Sequence, residues 1–502
     1  MIEQLLKRNK ITNLSLLKII STTPYQTMNL IQAKTNLSES LIERSIIDLN
    51  NDLKNLTDEK FQIVKMGMFY SVSHPKNSSP NMATSYYKLK LAYLTSSTAF
   101  QLLILLTVNT KTDISTLTDQ LFISKAHFYR NLKKLSTFLL PLSISIRTKN
   151  GILQLTGDEI VIRLVLTLLI ATTHQTLEWP FPQFPKELIT NSKKYHQLKD
   201  RLPLNSDYYL AFIFAVTNIR LRNKYFLNNS TTVDAEPLFS IMRNTNDLSS
   251  DFDQFPPNFP LEKFYSNLER DFFNMFLRLT LPNVDTPSQK LEIGMSFLDS
   301  NHHVARYCSS LCNSFFSHFS LKENKEYSAE FMYYAVIYHA SEFYLSSGII
   351  DSIGINSKIP NLFNRSNKLD EIFEFLQEFK ESYPKNKINS LNFSDKFYKY
   401  FSHIALLFLR MKQPTQIKIH ICYTTNIYGT DFLKERIASI FSEKSVLFTS
   451  KPEKADLIIT NLSSDNFTSI PHYFFPDIYD YQAFKKLFSV IQDIFFEKKI
   501  SS

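Results

Sequence analysis

The side chains best placed to do chemistry lie between Ser124 and Leu135. With Ser124 as an N-cap, a helix over this stretch puts Phe128, Leu132 and Leu135 at i, i+4 and i+7 on one buried stripe. Ala126, Arg130, Lys133 and Lys134 then share the opposite face, with His127 and Tyr129 on its flanks and Lys125 in the first turn. A small residue beside cations and hydrogen-bonding rings suits the major groove of DNA and the phosphates that border it. The chemistry expected is recognition of a polyanion, not bond making. No glycine-rich phosphate loop, HExxH pair or serine-nucleophile motif occurs, so no catalytic residue and no enzyme activity are expected. His302, His303, Cys308 and Cys312 raise the question of zinc, but a helix spreads the four around its axis and neither histidine spacing fits a ligand set. No metal and no other cofactor is expected.

Such a face needs a three-helix support. Thr98 to Thr107 and Thr112 to Leu121 read as two helices and Phe122-Ile123 as the turn before the third, the order of a helix-turn-helix. Downstream, Leu142 to Arg147 and Ile152 to Leu155 alternate around Lys149-Asn150-Gly151, and Asn-Gly is a strong hairpin signal, so a wing is expected there. A second such unit precedes this one. Leu14 to Thr22, Thr27 to Lys34 and Leu37 to Leu53 read as helices, and Phe61 to Val64 with Phe69 to Val72 as strands around Met66-Gly67-Met68. Its third helix should bury Ile42, Ile46, Leu49 and Leu53 and turn Ser40, Arg44, Ile47, Asp48 and Asn51 outward. That face is less basic, so the later unit is expected to supply most DNA contacts, with Ser40 and Arg44 assisting.

Charge along the chain agrees with this division. The net charge is +9, to which residues 1–84 contribute +3 and residues 85–160 contribute +5, leaving +1 after Ile160. Counterion release draws the first third to a polyanion and gives the rest no electrostatic reason to approach one. At 502 residues, 44% hydrophobic and 21% charged, the chain should be globular and divided into several domains. Only 7 glycines argue against sandwiches, barrels and Gly-rich nucleotide folds, which leaves helix dominant. Pro, Ser and Asn clusters at 74–85, 178–186, 245–260, 282–287, 383–391 and 412–415 mark joints. Leu210 to Leu227 and Phe331 to Tyr344 are aromatic-rich helical stretches about 120 residues apart, a weak internal repeat. After Pro414, Ile417 to Cys422 reads as a strand, Asp431 to Phe441 as a helix, Ala455 to Thr460 as a strand and Tyr481 to Lys498 as a helix, a small α/β domain with a parallel sheet. Cys308, Cys312 and Cys422 are too few for a disulfide framework, no secretory leader follows Met1, and apolar runs stop far short of the roughly twenty residues that span a bilayer. A cytoplasmic protein that does not engage a membrane is expected.

The run Leu121-Phe122-Ile123-Ser124-Lys125-Ala126-His127-Phe128-Tyr129-Arg130-Asn131-Leu132-Lys133-Lys134-Leu135, followed by Asn150-Gly151-Ile152-Leu153-Gln154-Leu155-Thr156-Gly157-Asp158-Glu159-Ile160-Val161-Ile162-Arg163, resembles the Mga family of Gram-positive virulence regulators, which includes the RofA-like proteins and AtxA. The resemblance is strong over residues 98–163 and architectural elsewhere. It implies a mainly α, multidomain chain: a winged helix-turn-helix at 1–75, a second at 85–163 that is the main DNA reader, helical phosphotransferase (PTS) regulation domains, or PRDs, at 164–285 and 286–412, and an EIIB-like α/β domain at 415–502. It also implies a homodimeric transcription regulator, an activator of virulence or surface-protein genes, that holds double-stranded promoter DNA and for which DNA curvature or A·T-rich flexibility matters more than base contacts. The partners it implies are PTS phosphocarrier proteins and RNA polymerase. Histidine phosphorylation by those carriers would modulate it. His403, in Phe401-Ser402-His403-Ile404-Ala405-Leu406-Leu407-Phe408-Leu409-Arg410, fits the phosphorylated pattern best, followed by His196 and His339. The segment Tyr208 to Arg222 departs from the pattern by having no histidine. Cys422 ends the strand where an EIIB component keeps its phosphocysteine, but Tyr423-Thr424-Thr425-Asn426-Ile427-Tyr428 has no glycine to cradle phosphate, which favours a retained fold used for dimerisation. Two rival readings are a PRD-containing RNA antiterminator, which the helical register of residues 14–53 opposes, and a phosphotransfer protein that uses Cys422.

Overall fold

A computed structural model describes residues 2–22, 25–56, 61–73, 82–109, 112–182, 184–191, 193–202, 207–227, 230–249, 263–281, 284–322, 324–344, 367–383, 393–412, 416–424, 428–462, 470–475 and 480–501. Most of the expected joints, and residues 425–427 of the loop after Cys422, lie outside these. The fold is mostly helical with small sheets. The chain divides into two compact units, Met1–Ala305 with Tyr333–Ile355, and Arg306–Met332 with Asn356–Ser502. Among the described residues no single helix is long and apolar enough to cross a membrane.

The first unit opens with a 3-10 turn, Ile2–Leu5, and a winged helix-turn-helix follows. Its elements are α1 (Arg8–Thr22), β1 (Gln26–Thr27), α2 (Met28–Thr35), α3 (Glu39–Leu56), β2 (Gln62–Met66) and β3 (Phe69–Ser73). Thr27 caps α2 by accepting from Leu30 N, and Asn36 ends it in the left-handed region. As the spacing predicts, α3 buries Ile42, Ile46, Leu49 and Leu53. The wing pairs Met66 with Phe69 across Gly67, whose φ of +61° favours glycine. The short β1, which sequence did not signal, adds a third strand against β3.

Helix α4 (Met82–Thr95) leads to the second winged unit: α5 (Thr98–Val108), β4 (Thr112–Asp113), α6 (Ile114–Gln120), α7 (Lys125–Leu139), β5 (Ser145–Lys149) and β6 (Ile152–Thr156). Two boundaries move from those the spacing predicts. Thr112 and Asp113 pair with Leu153 and Ile152 as strand, and Asp113 caps α6 by accepting from Thr116 N at 2.9 Å. Leu140–Leu142 form a 3-10 turn, so β5 starts at Ser145. Between the strands Lys149 faces Ile152, with Asn150 at φ +51° and Gly151 at φ +78°. Two positive φ values at a two-residue loop are the type I′ signature that Asn-Gly encodes.

The rest of this unit is helical: α8 (Glu159–His174), α9 (Glu187–Thr190), α10 (Lys193–Lys199), α11 (Asp207–Arg222), α12 (Ser230–Thr245), α13 (Lys263–Thr280) and α14 (Pro287–Leu298). Nearly every residue of α8 is buried. The division between units falls inside α15 (His303–His318) and α16 (Lys325–Tyr344). The second unit adds α17 (Asn367–Ser382) and α18 (Asp395–Lys412) around an aromatic core in which Phe315 stacks on Phe331, and Phe331 meets Phe401 and Phe408 edge-on.

The chain then changes period. Its last elements are β7 (Ile417–Cys422), α19 (Gly429–Ala438), β8 (Val446–Phe448), β9 (Leu457–Thr460), β10 (His472–Phe474) and α20 (Tyr481–Ser501). The strands lie in the order β10-β9-β7-β8, all parallel, the sheet that the strand-helix-strand order after Pro414 leads one to expect. Leu433, Ile437, Leu487 and Ile491 from α19 and α20 close its core. Strands β8 and β10 are only three residues each and too short to give a periodic signal.

Candidate nucleic-acid interface

Helix α7 is placed by its cap and by its inner stripe. Ser124 Oγ accepts from the backbone N–H of His127 at 3.3 Å and so starts the helix at Lys125. Phe128, Leu135, Phe138 and Leu139 are buried, and Leu132 only half so. Outward stand Lys125, Ala126, Tyr129, Arg130 and Lys133, all exposed, with His127 half-buried at the edge. Among the described residues no carboxylate pairs with Lys125, Arg130 or Lys133. Three uncompensated cations on one exposed helix face make a local positive field that suits phosphate.

Lys134 does not join them. Its half-buried ammonium donates to the carbonyl of Leu6 at 2.9 Å, and burial lowers its pKa. The reason is tertiary, because the N-terminal turn, 128 positions earlier, folds against this side of α7. The expectation that Lys134 lies on the outer face is therefore corrected. Two further exposed residues of this winged unit escaped the sequence reading. Arg147 is exposed on β5, opposite Gln154, and its place in an alternating strand was the available signal. Phe122, at the turn before α7, is 95% exposed with φ +51°, and its N–H bonds Asp119 O at 3.2 Å. A bulky residue held there is a backbone outlier and marks the turn as fixed.

In the first winged unit Ser40 and Arg44 are exposed on α3, as are Ile47, Asp48 and Asn51. Glu39 and Glu43 share the exposed surface, which keeps it less cationic than that of α7. The two winged units are stitched by the N-terminal turn. Ile2, Leu5 and Leu6 are buried, Ser97 Oγ donates to Leu5 O at 2.7 Å, and Lys90 pairs with Glu3 at 2.7 Å. Burial pushes the Glu3 carboxyl up, but the Lys90 ammonium outweighs it and holds the pKa at about 2. One turn further along α4, Tyr93 Oη donates to Asp52, which also accepts from Lys10 Nζ at 2.6 Å.

A buried charge cluster begins just after the second wing. Glu159, in the first turn of α8, binds Arg163 at 3.0 Å and Arg220 of α11 at 2.6 Å. Arg163 also meets Glu269 of α13 at 2.5 Å and donates to Tyr225 O at 2.7 Å, while Leu227 N donates to Glu269 at 2.9 Å. Charges this deeply buried are tolerable because every member has partners.

The histidines separate by burial. His196 is exposed on α10. His339 is fully buried, donates from Nδ1 to Ala335 O at 2.7 Å, and has its pKa lowered by burial to about 4. His403 is buried as well, with Nδ1 on Lys399 O at 2.8 Å and a pKa lowered first by burial. Of these three rings, His196 is open to solvent, whereas His339 and His403 are enclosed. Cys308 and Cys312 are buried thiols whose pKa values burial raises, that of Cys312 to about 12. His302 and His303 instead adjoin Asp234. Cys422 ends β7, half-buried, and the backbone N–H of Thr424 donates to Asn461 Oδ1 at 3.1 Å.

A three-helix unit with a cationic outer helix and an antiparallel wing belongs to the helix-turn-helix class of DNA-binding regulators. Residues 83–170 match the family model described as Mga helix-turn-helix domain, a span that runs from α4 into α8. No curated protein matches the chain.

Proposed function

We propose that the chain is a transcription regulator that holds duplex promoter DNA through α7 and its wing, by Lys125, His127, Tyr129, Arg130 and Lys133, with Arg147 added and with Ser40 and Arg44 assisting. The observation that carries this reading is the uncompensated, exposed cationic face of α7 within the segment that matches the Mga helix-turn-helix domain. In this reading the protein binds and does not catalyse. The helical region behind the winged units acts as PRD-type sensing modules, and the C-terminal parallel α/β domain acts as an EIIB-like scaffold for a homodimer. Activation of virulence or surface-protein genes, carrier-dependent histidine phosphorylation and contact with RNA polymerase follow the family resemblance; exposed His196 becomes the first acceptor to test.

A gel-shift titration against salt tests the central claim. The full chain should prefer duplex DNA to single-stranded RNA and lose affinity steeply as salt rises, with a log–log slope of roughly −0.9 per phosphate contact. Arg130→Ala with Lys133→Ala should weaken binding about tenfold or more and flatten that slope by about two contacts. A salt-insensitive affinity, or an unchanged one in the double variant, overturns the proposal.

A further inference from the structure

Away from the α7 surface, three metal-type side chains converge. Asp234 on α12 meets His302 and His303 at the start of α15, and the ligand atoms that the three offer all lie within 4.8 Å of one another. His303 Nε2 is 3.9 Å from Asp234 Oδ2. That gap is long for a hydrogen bond and wider than the roughly 3.3 Å between donors around a tetrahedral ion with bonds of about 2.0 Å, so the ligands would draw together on binding. The imidazole rings lie side by side, centroids 4.3 Å apart. Tyr344 completes the group: its hydroxyl donates to Asp234 Oδ2 at 2.8 Å and lies 3.1 Å from His302 Nε2. A hydroxyl bonded to the carboxylate fixes its rotation, as partners of metal-bound carboxylates do. The Asp234 side chain is 54% exposed while both rings are half-buried, so an ion can arrive from solvent onto prepositioned nitrogens.

We propose that Asp234, His302 and His303 form a binding site for a first-row divalent transition metal, with Zn2+ the best match and Tyr344 as the positioning residue. Two imidazoles and one carboxylate suit zinc and its neighbours, whereas calcium and magnesium require oxygen donors. Three features work against the ion and set limits on its affinity, the first being that His302 Nε2 already lies 3.2 Å from Asp234 O, a hydrogen bond that coordination replaces. The N-terminus of α15 disfavours a cation, by a few-fold at most. The backbone N–H of Val304 donates to His302 Nδ1 at 3.3 Å, a long contact that binding through Nε2 gives up, because the ring proton then resides on Nδ1. Binding would staple α12 to α15 across 68 residues of sequence. This places a metal input in the region behind the winged units and does not depend on what those units bind.

Isothermal titration of the chelator-stripped full chain with ZnCl2 tests the site, with CoCl2 as a spectroscopic probe and MgCl2 as control. One equivalent of Zn2+ should bind at micromolar Kd or tighter, Co2+ should give the absorption of a low-coordinate nitrogen and oxygen site, and Mg2+ should not compete. Tyr344→Phe should weaken Zn2+ about 10- to 100-fold. Asp234→Asn and His303→Ala should weaken it further, each with an unfolding midpoint close to that of the metal-free parent. Absence of stoichiometric Zn2+ binding by the unmodified chain overturns the proposal. So does full affinity in both Asp234→Asn and His303→Ala, which would put the ion elsewhere.

Discussion

Lys133 and Lys134 are neighbours in sequence with opposite surroundings, and their substitutions should separate accordingly. Lys133 is exposed and unpaired among the described residues, so Lys133→Ala should lower the salt slope of DNA binding by about one contact. Lys134 spends its ammonium on Leu6 O, so Lys134→Met should leave the slope unchanged and lower the unfolding midpoint instead. Parallel gel-shift and thermal-melt series read both outcomes. Gly157 offers a sharper test of geometry. It has φ +156°, and a Cβ there would sit 2.7 Å from Ser143 O, a backbone atom that cannot swing away. Gly157→Ala should cost about 1–3 kcal/mol, measured by urea unfolding, with the chain end of the wing displaced. At this scale the sequence was informative where helical spacing alone decides, as for Phe128 inward and Arg130 outward. It was silent where a distant segment covers a side chain, as for Lys134.

The elements were legible in proportion to their length and period. Helices α3, α5 and α7, the Asn-Gly wing and the strand β7 follow from local pattern, whereas β1, β4, β8 and β10 have two or three residues each and exist through pairing with partners remote in sequence. The cluster that fastens α8 to α11 and α13 shows the same limit. Glu159 and Arg163 are an evident i, i+4 pair, but nothing local points to Glu269, 106 positions from Arg163. Removing one member of a fully buried set leaves its partner's charge without compensation. Glu269→Ala should therefore destabilise the first unit by about 3–5 kcal/mol in denaturant titration, far more than the loss of an exposed pair such as Lys434–Asp431. Equal effects from the two deletions would show that the buried set does not carry the junction.

For the molecule as a whole, acid should be the revealing perturbation. His174, between Phe100 and Phe212, and His339 are both buried, and burial lowers each pKa from 6.5 to about 4. A depressed folded-state value means that the unfolded chain takes up the proton first. The stability each histidine contributes is complete above about pH 6.5 and is lost as the pH falls from there through about 4, by up to about 3 kcal/mol per group. Unfolding midpoints recorded between pH 7 and 4 should decline, and His174→Phe should decline less steeply; an equal slope would show that His174 is not the group responsible. The N-terminal turn has its own consequence at this scale. Because Ile2–Leu6 is tied to α4, to Ser97 and, through Lys134, to α7, the two winged units behave as the fixed jaws of a caliper. Jaws that cannot pivot accept one separation and one rotational phase. If both grip the same duplex, inserting about five base pairs between their contact points turns one point to the far side of the helix. Deleting residues 2–6 should relax that spacing requirement before it abolishes binding.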